Sequence, residues 1–167
     1  VRLWRMGCLV LCGFFLCFWG GAAAFAAPSV EEMAGQMLLV GFKGQEPEEC
    51  GAILRDIQAR HLGGVILFKR DARNAKLPRN IRDAAQVKRL IAALRGASVG
   101  HPLFVAVDQE GGKVARFQPG DGFPAYPSAA ELGRGTPDAT RRTALDMGRM
   151  LRELGVNLNF APVLDVN

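Results

Sequence analysis

Asp108, Glu110, Lys113 and Arg116 fall within nine residues, on either side of the pair Gly111-Gly112. A carboxylate only accepts hydrogen bonds and a guanidinium only donates them. Held together, Asp108 and Arg116 suit a polyhydroxylated ligand, and the glycine pair lets the backbone turn Arg116 back toward Asp108. The plainer alternative is a turn capped by Asp108, with Arg116 paired to it or to Glu110. Asp108-x-Glu110 has no histidine nearby and is a weak metal pair, so neither a metal nor another cofactor is expected. His61 and His101 are the only histidines. His61 ends a helical stretch, where a partly charged imidazole suits the dipole. His101 precedes Pro102 in a loop. Neither is expected to be a catalyst.

These residues need elements to place them, and the pattern supplies alternating strands and helices. Ser29-Val30-Glu31-Glu32 reads as a capping box opening a helix to Gln36. Met37-Leu38-Leu39-Val40-Gly41-Phe42 is an apolar run, as of a strand buried on both faces. Ile53, Leu54 and Ile57 mark a helix over 48–60, and Val65-Ile66-Leu67-Phe68 a second strand after Gly63-Gly64. Val87, Leu90, Ile91 and Leu94 stripe a helix over 83–95, with Gly96 as its stop. Leu103-Phe104-Val105-Ala106-Val107 is a third strand, and it ends at Asp108. Thr136-Pro137 starts a helix that carries Met147, Met150, Leu151 and Leu154 and ends at Gly155. A fourth strand lies around Leu158-Asn159-Phe160-Ala161.

This order predicts an α/β fold with a parallel sheet. Active sites of such folds lie at the C-terminal ends of strands, where Asp108 stands. Phe68-Lys69-Arg70-Asp71 and Pro162-Val163-Leu164-Asp165 follow two other strands. Four strands at this spacing match the first half of a (β/α)8 TIM-type barrel, whose whole takes about 250 residues. A doubly wound sheet is the rival, weakened because no G-x-G-x-x-G follows any strand.

The chain has 167 residues, 49% hydrophobic and 22% charged, with 21 basic and 16 acidic residues. The net charge of +5 is too small and too scattered to argue for nucleic acid. Nine Lys or Arg against two acids in 69–95 fit a solvated helix face and its loop better than attraction to anionic polymers or a membrane surface. Arg2 and Arg5 precede a charge-free apolar run that ends in Ala22-Ala23-Ala24-Phe25-Ala26-Ala27. Residues 1–26 are therefore expected to be a signal peptide cut after Ala26, with a periplasmic or secreted product. An uncleaved membrane anchor is the alternative. Removing 1–26 leaves 19 basic against 16 acidic residues. Cys8, Cys12 and Cys17 lie in that run, so Cys50 is expected to be a lone buried thiol.

Three blocks carry a resemblance. They are Gly63-Gly64-Val65-Ile66-Leu67-Phe68; Ala106-Val107-Asp108-Gln109-Glu110-Gly111-Gly112-Lys113-Val114-Ala115-Arg116-Phe117; and Gly155-Val156-Asn157-Leu158-Asn159-Phe160-Ala161-Pro162-Val163-Leu164-Asp165-Val166. In this order and spacing the chain resembles glycoside hydrolase family 3, most closely its β-N-acetylhexosaminidase branch. The resemblance implies that residues 27–167 are the N-terminal half of a (β/α)8 barrel domain, and it implies retaining hydrolysis of terminal β-linked N-acetylglucosamine. The substrate class is a carbohydrate, with cell-wall sugars expected. Asp108 and Arg116 take the sugar-contacting positions, and Glu110 and Asp165 match supporting ones.

The family's Lys-His-Phe-Pro-Gly-His-Gly-like segment, its Asp/His acid–base pair and its aspartate nucleophile have no counterpart in these residues. No catalytic residue is therefore expected here, and the chain alone is expected to be inactive. A β-glucosidase of the same family and a non-catalytic sugar-binding module remain the alternatives.

Overall fold

A computed structural model describes residues 27–164. The export-signal expectation over 1–26 and the supporting role of Asp165 lie outside the described residues.

Ser29 Oγ accepts from Glu32 N at 3.1 Å and Glu32 Oε2 from Ser29 N at 2.7 Å, closing the capping box of α1 (Val30–Gln36). Met37 caps that helix instead of starting the next strand, so β1 is only Leu39–Gly41. A 3-10 turn, Pro47–Cys50, leads into α2 (Gly51–Arg60), which ends on His61 in a left-handed conformation with φ 52°. Cys50 is buried and free, and burial, with Glu49 and Glu48 nearby, pushes its thiol up to about 11. Then follow β2 (Gly64–Leu67), α3 (Ala84–Ala97) and β3 (Phe104–Val107). Asp83 caps α3 through Gln86 N at 2.8 Å. Gly96 does not end this helix, which runs on to Ala97 and is capped at Ser98.

A hairpin of β4 (Gln109–Gly111) and β5 (Val114–Ala115) follows β3 directly. It was not expected from the sequence, and neither was the one-turn α4 (Ala129–Leu132). The long α5 (Pro137–Leu154) has the expected Thr136 cap and Gly155 stop, and β6 (Leu158–Asn159) completes the main sheet.

The main sheet is parallel, in the order β1-β2-β3-β6. Each new strand is added on the same side of the last. A doubly wound sheet reverses direction at its switch point, and this order has no reversal. Val65, Leu67, Val105 and Val107 are fully buried, and Ile57, Val87, Leu90, Leu94 and Leu151 of the neighbouring helices are buried with them. Each such side chain contributes about 1.5–3 kcal/mol.

The opposite face is less covered, and β1 is not buried on both sides, although the 37–42 run predicts that it is. Phe104 is 52% exposed, Ile66 and Leu158 are half-buried, and Gly41 is exposed. The cause is that α2, α3 and α5 form one layer on one face.

Candidate functional site

Side chains alternate along a strand. Val107 is buried with the helix-facing residues, so Asp108 follows on the open side, at the C-terminal end of β3. The β4–β5 hairpin then brings Arg116 back. Gly111 (φ 90°) and Gly112 (φ 59°) make its turn, and a Cβ on Gly111 would lie 2.1 Å from the Pro127 carbonyl oxygen. Only glycine fits both the left-handed backbone and that approach. The result is an ion pair, with Arg116 Nη2 2.7 Å from Asp108 Oδ2, and both side chains remain about a quarter exposed. The two residues expected to act together are therefore in contact.

Gln109 holds this geometry. It is fully buried. Its Oε1 accepts from Arg116 N at 2.9 Å and Phe117 N at 3.0 Å, and its Nε2 donates to the Phe117 carbonyl at 3.1 Å. Its own backbone is clamped by Asn159, whose Oδ1 accepts from Gln109 N at 2.9 Å and whose Nδ2 donates to Gln109 O at 3.0 Å. Asn157 does the same one step earlier, accepting from Val105 N at 2.7 Å and donating to Leu103 O at 3.0 Å. The two asparagine amides thus extend the ladder of the two-residue strand β6 along β3. Their alternation within an otherwise apolar strand is the sequence signal of this clamp.

The Phe68 ring lies below the guanidinium groups of both Arg79 and Arg116, at 4.9 and 5.7 Å from its centroid. The Phe117 and Phe123 rings pack with centroids 4.9 Å apart, tilted by 57°. Arg116 Nε is buried with no hydrogen-bond partner among the described residues. An unmet buried donor costs about 1–3 kcal/mol.

The other candidates stand apart. Glu110 lines an apolar groove with Leu132 and Met147, between α4 and α5. His61 and His101 lie at the opposite end of the sheet, before β2 and β3. His61 Nε2 is 4.0 Å from Glu32, and the His101 carbonyl accepts from Ser98 Oγ at 2.7 Å. Asp71, after β2, is nearly buried and pairs with Lys43 at 2.7 Å. Lys43 beside it, with the Arg73 and Asn74 backbone N–H groups, holds its carboxyl down at about 2. Among the described residues no three His, Cys, Asp or Glu side chains converge as a metal site would require.

Residues 29–167 match the glycosyl hydrolase family 3 N terminal domain. A beta-hexosaminidase of Bordetella pertussis (strain Tohama I) is 42% identical over 113 residues, which are 64% of this chain and 29% of that protein. A beta-hexosaminidase of Xylella fastidiosa (strain M23) is 37% identical over 139 residues, covering 78% of this chain and 37% of the relative. The chain thus spans well under half the length of these relatives. The crystal structure of a beta-N-acetylhexosaminidase from Beutenbergia cavernae superposes with a TM-score of 0.63 at 38% identity, over 84% of this chain and 40% of that one. Through this N-terminal domain match, the chain belongs to glycosyl hydrolase family 3.

Proposed function

We propose that residues 27–167 are the first half of a (β/α)8 barrel in a retaining exo-β-N-acetylhexosaminidase, with residues 1–26 as its export signal. The observation that carries this reading is the Asp108–Arg116 pair at the C-terminal end of β3, inside the family-matched segment. The unreversed strand order and the relatives named beta-hexosaminidase support it. Asp108 accepts hydrogen bonds from ring hydroxyls of the terminal sugar and Arg116 donates to them. Neither cleaves the bond. Retention needs a nucleophile and an acid that turns base, and both belong to other parts of the protein. No cofactor takes part, and cell-wall sugars outside the cytoplasm are the substrate.

The test uses the full-length protein that carries this chain. It should hydrolyse an aryl β-N-acetylglucosaminide, releasing the β-anomer first, and be slow on the matching aryl β-glucoside. A preference for the glucoside, or release of the α-anomer first, overturns the reading. N-terminal sequencing of the exported form should begin at Ala27, and an intact Val1 end on cytosolic protein contradicts export.

A further inference from the structure

Lys69 opens the basic run over 69–95, and the structure sets it apart from the rest of that run. Lys88 and Arg89 stand exposed on α3. The Lys69 side chain is mostly covered. Its ammonium group donates to Gln118 Oε1 at 2.7 Å and pairs with the Asp121 carboxylate. A covered lysine head loses hydration, and here two acceptors replace the lost water with charge-assisted bonds. The expectation of a solvated face therefore does not hold at this position.

Both partners belong to the segment that carries Arg116. Gln118 Nε2 donates to the Ala115 carbonyl at 2.9 Å, so the amide passes the hold on to the residue before Arg116. Asp121 closes the 3-10 turn Pro119–Asp121, in which its N–H donates to the Gln118 carbonyl at 2.9 Å. Phe68, one residue before Lys69, has its ring under the Arg116 guanidinium. Two successive residues at the end of β2 thus engage one segment, the first at the guanidinium and the second at the backbone beside it. The guanidinium has a single hydrogen bond among the described residues, to Asp108, and its Nε has none. Its aim therefore depends on the backbone that carries it.

We propose that Lys69 is a positioning residue of the sugar site, aiming Arg116 through Gln118 and Asp121. The proposal rests on the reading of Asp108 and Arg116 as the grip on the terminal sugar. Gln109 fixes the Arg116 backbone from the interior, and Lys69 fixes the same segment from the side of β2. A guanidinium donates to a hydroxyl only over a narrow range of distance and angle. A shift of this segment therefore weakens the grip without removing any group that touches the sugar.

The experiment uses the full-length protein and the double variant Lys69→Met/Asp121→Leu. Replacing both charges by apolar side chains strands neither, and such exchanges are often neutral for stability. Tm should stay near that of the parent, while kcat/KM on an aryl β-N-acetylglucosaminide falls about tenfold. The same two substitutions are then made in an Arg116→Ala background. There they should cost less than about twofold, because no guanidinium is left to aim. A loop that is merely loosened would cost the same in both backgrounds. Gln118→Leu cuts the link to Ala115 and leaves the Lys69–Asp121 pair in place. It gives a second entry to the same cycle and should show the same dependence on Arg116. Equal losses with and without Arg116, or no loss in the parent background, overturn the role of Lys69 and leave the sugar grip standing. An unchanged kcat/KM for Arg116→Ala alone overturns the grip, and the role of Lys69 with it.

Discussion

Gln109 carries as much of the site as the charged residues it places. Its amide satisfies two buried N–H groups and one buried carbonyl of the segment that holds Arg116. Gln109→Leu leaves all three unmet in a dry interior, so the folded state should lose about 2 kcal/mol or more. Urea unfolding should show this as a lower midpoint at unchanged slope. Asp108→Ala acts differently. On the proposed reading, in the full-length protein it removes charge-assisted hydrogen bonds to the sugar worth about 1.5–3 kcal/mol each, so kcat/KM should fall roughly 10- to 100-fold with little change in Tm. A fall in kcat beyond the rise in KM would mean that the grip tightens as the ring distorts. Unchanged kinetics for both Asp108→Ala and Arg116→Ala would remove them from the sugar site. Asp108 and Arg116 were legible because a carboxylate ending an apolar run and an arginine beyond a Gly-Gly turn are visible without coordinates. Gln109 was not, since a glutamine between two acids gives no sign of complete burial.

At the scale of elements, the loop between β2 and α3 is held by its own acid. Asp71 accepts from Arg73 N at 2.9 Å and Asn74 N at 3.2 Å and pairs with Lys43. Its carboxyl stands at about 2 in the fold against 3.8 ordinarily. The folded state therefore binds its proton more weakly than the unfolded chain does. This contribution to stability is complete above about pH 4 and is lost as the pH falls toward 2. Asp71→Asn should lower stability at neutral pH and flatten its dependence over that acid window, as followed by circular dichroism. The starts of α1, α3 and α5 were legible because Ser29, Asp83 and Thr136 cap them through local side-chain bonds, whereas α2 begins three residues later than expected and α4 gave no signal. Gly96 misled because a glycine ends a helix only when the chain adopts the left-handed conformation there, and α3 continues past it. The β4–β5 hairpin was missed because its strands are two and three residues long, too short for any alternation to show.

At the scale of the molecule, helices cover one face of the sheet among the described residues, while the other face is partly exposed. Phe104 and Phe160 stand about half exposed, and β1 and β6 are edge strands. Open edges and apolar faces favour association. Residues 27–167 expressed alone should therefore bind a hydrophobic dye and elute as oligomers in size-exclusion chromatography. A monomer with a sharp two-state melt would contradict this. The direction of strand addition could not be read from the sequence. Parallel strands with crossover helices occur in both sheet types, and only the pairing partner of each strand separates them. The one-sided burial was equally hidden, since an apolar strand looks the same whether its second face meets helices or not.

The tie between Lys69 and Asp121 joins the loop after β2 to the turn after the β4–β5 hairpin, and Gln118 shares it. The Lys69 and Asp121 side chains are only 14% and 20% exposed, so neither charge can be lost without stranding the other. Among natural variants of this domain, positions 69 and 121 should then drift as a pair. Where one turns neutral or changes sign, the other should follow, and the record of that co-variation is where the contact between these two loops will be visible in sequences alone.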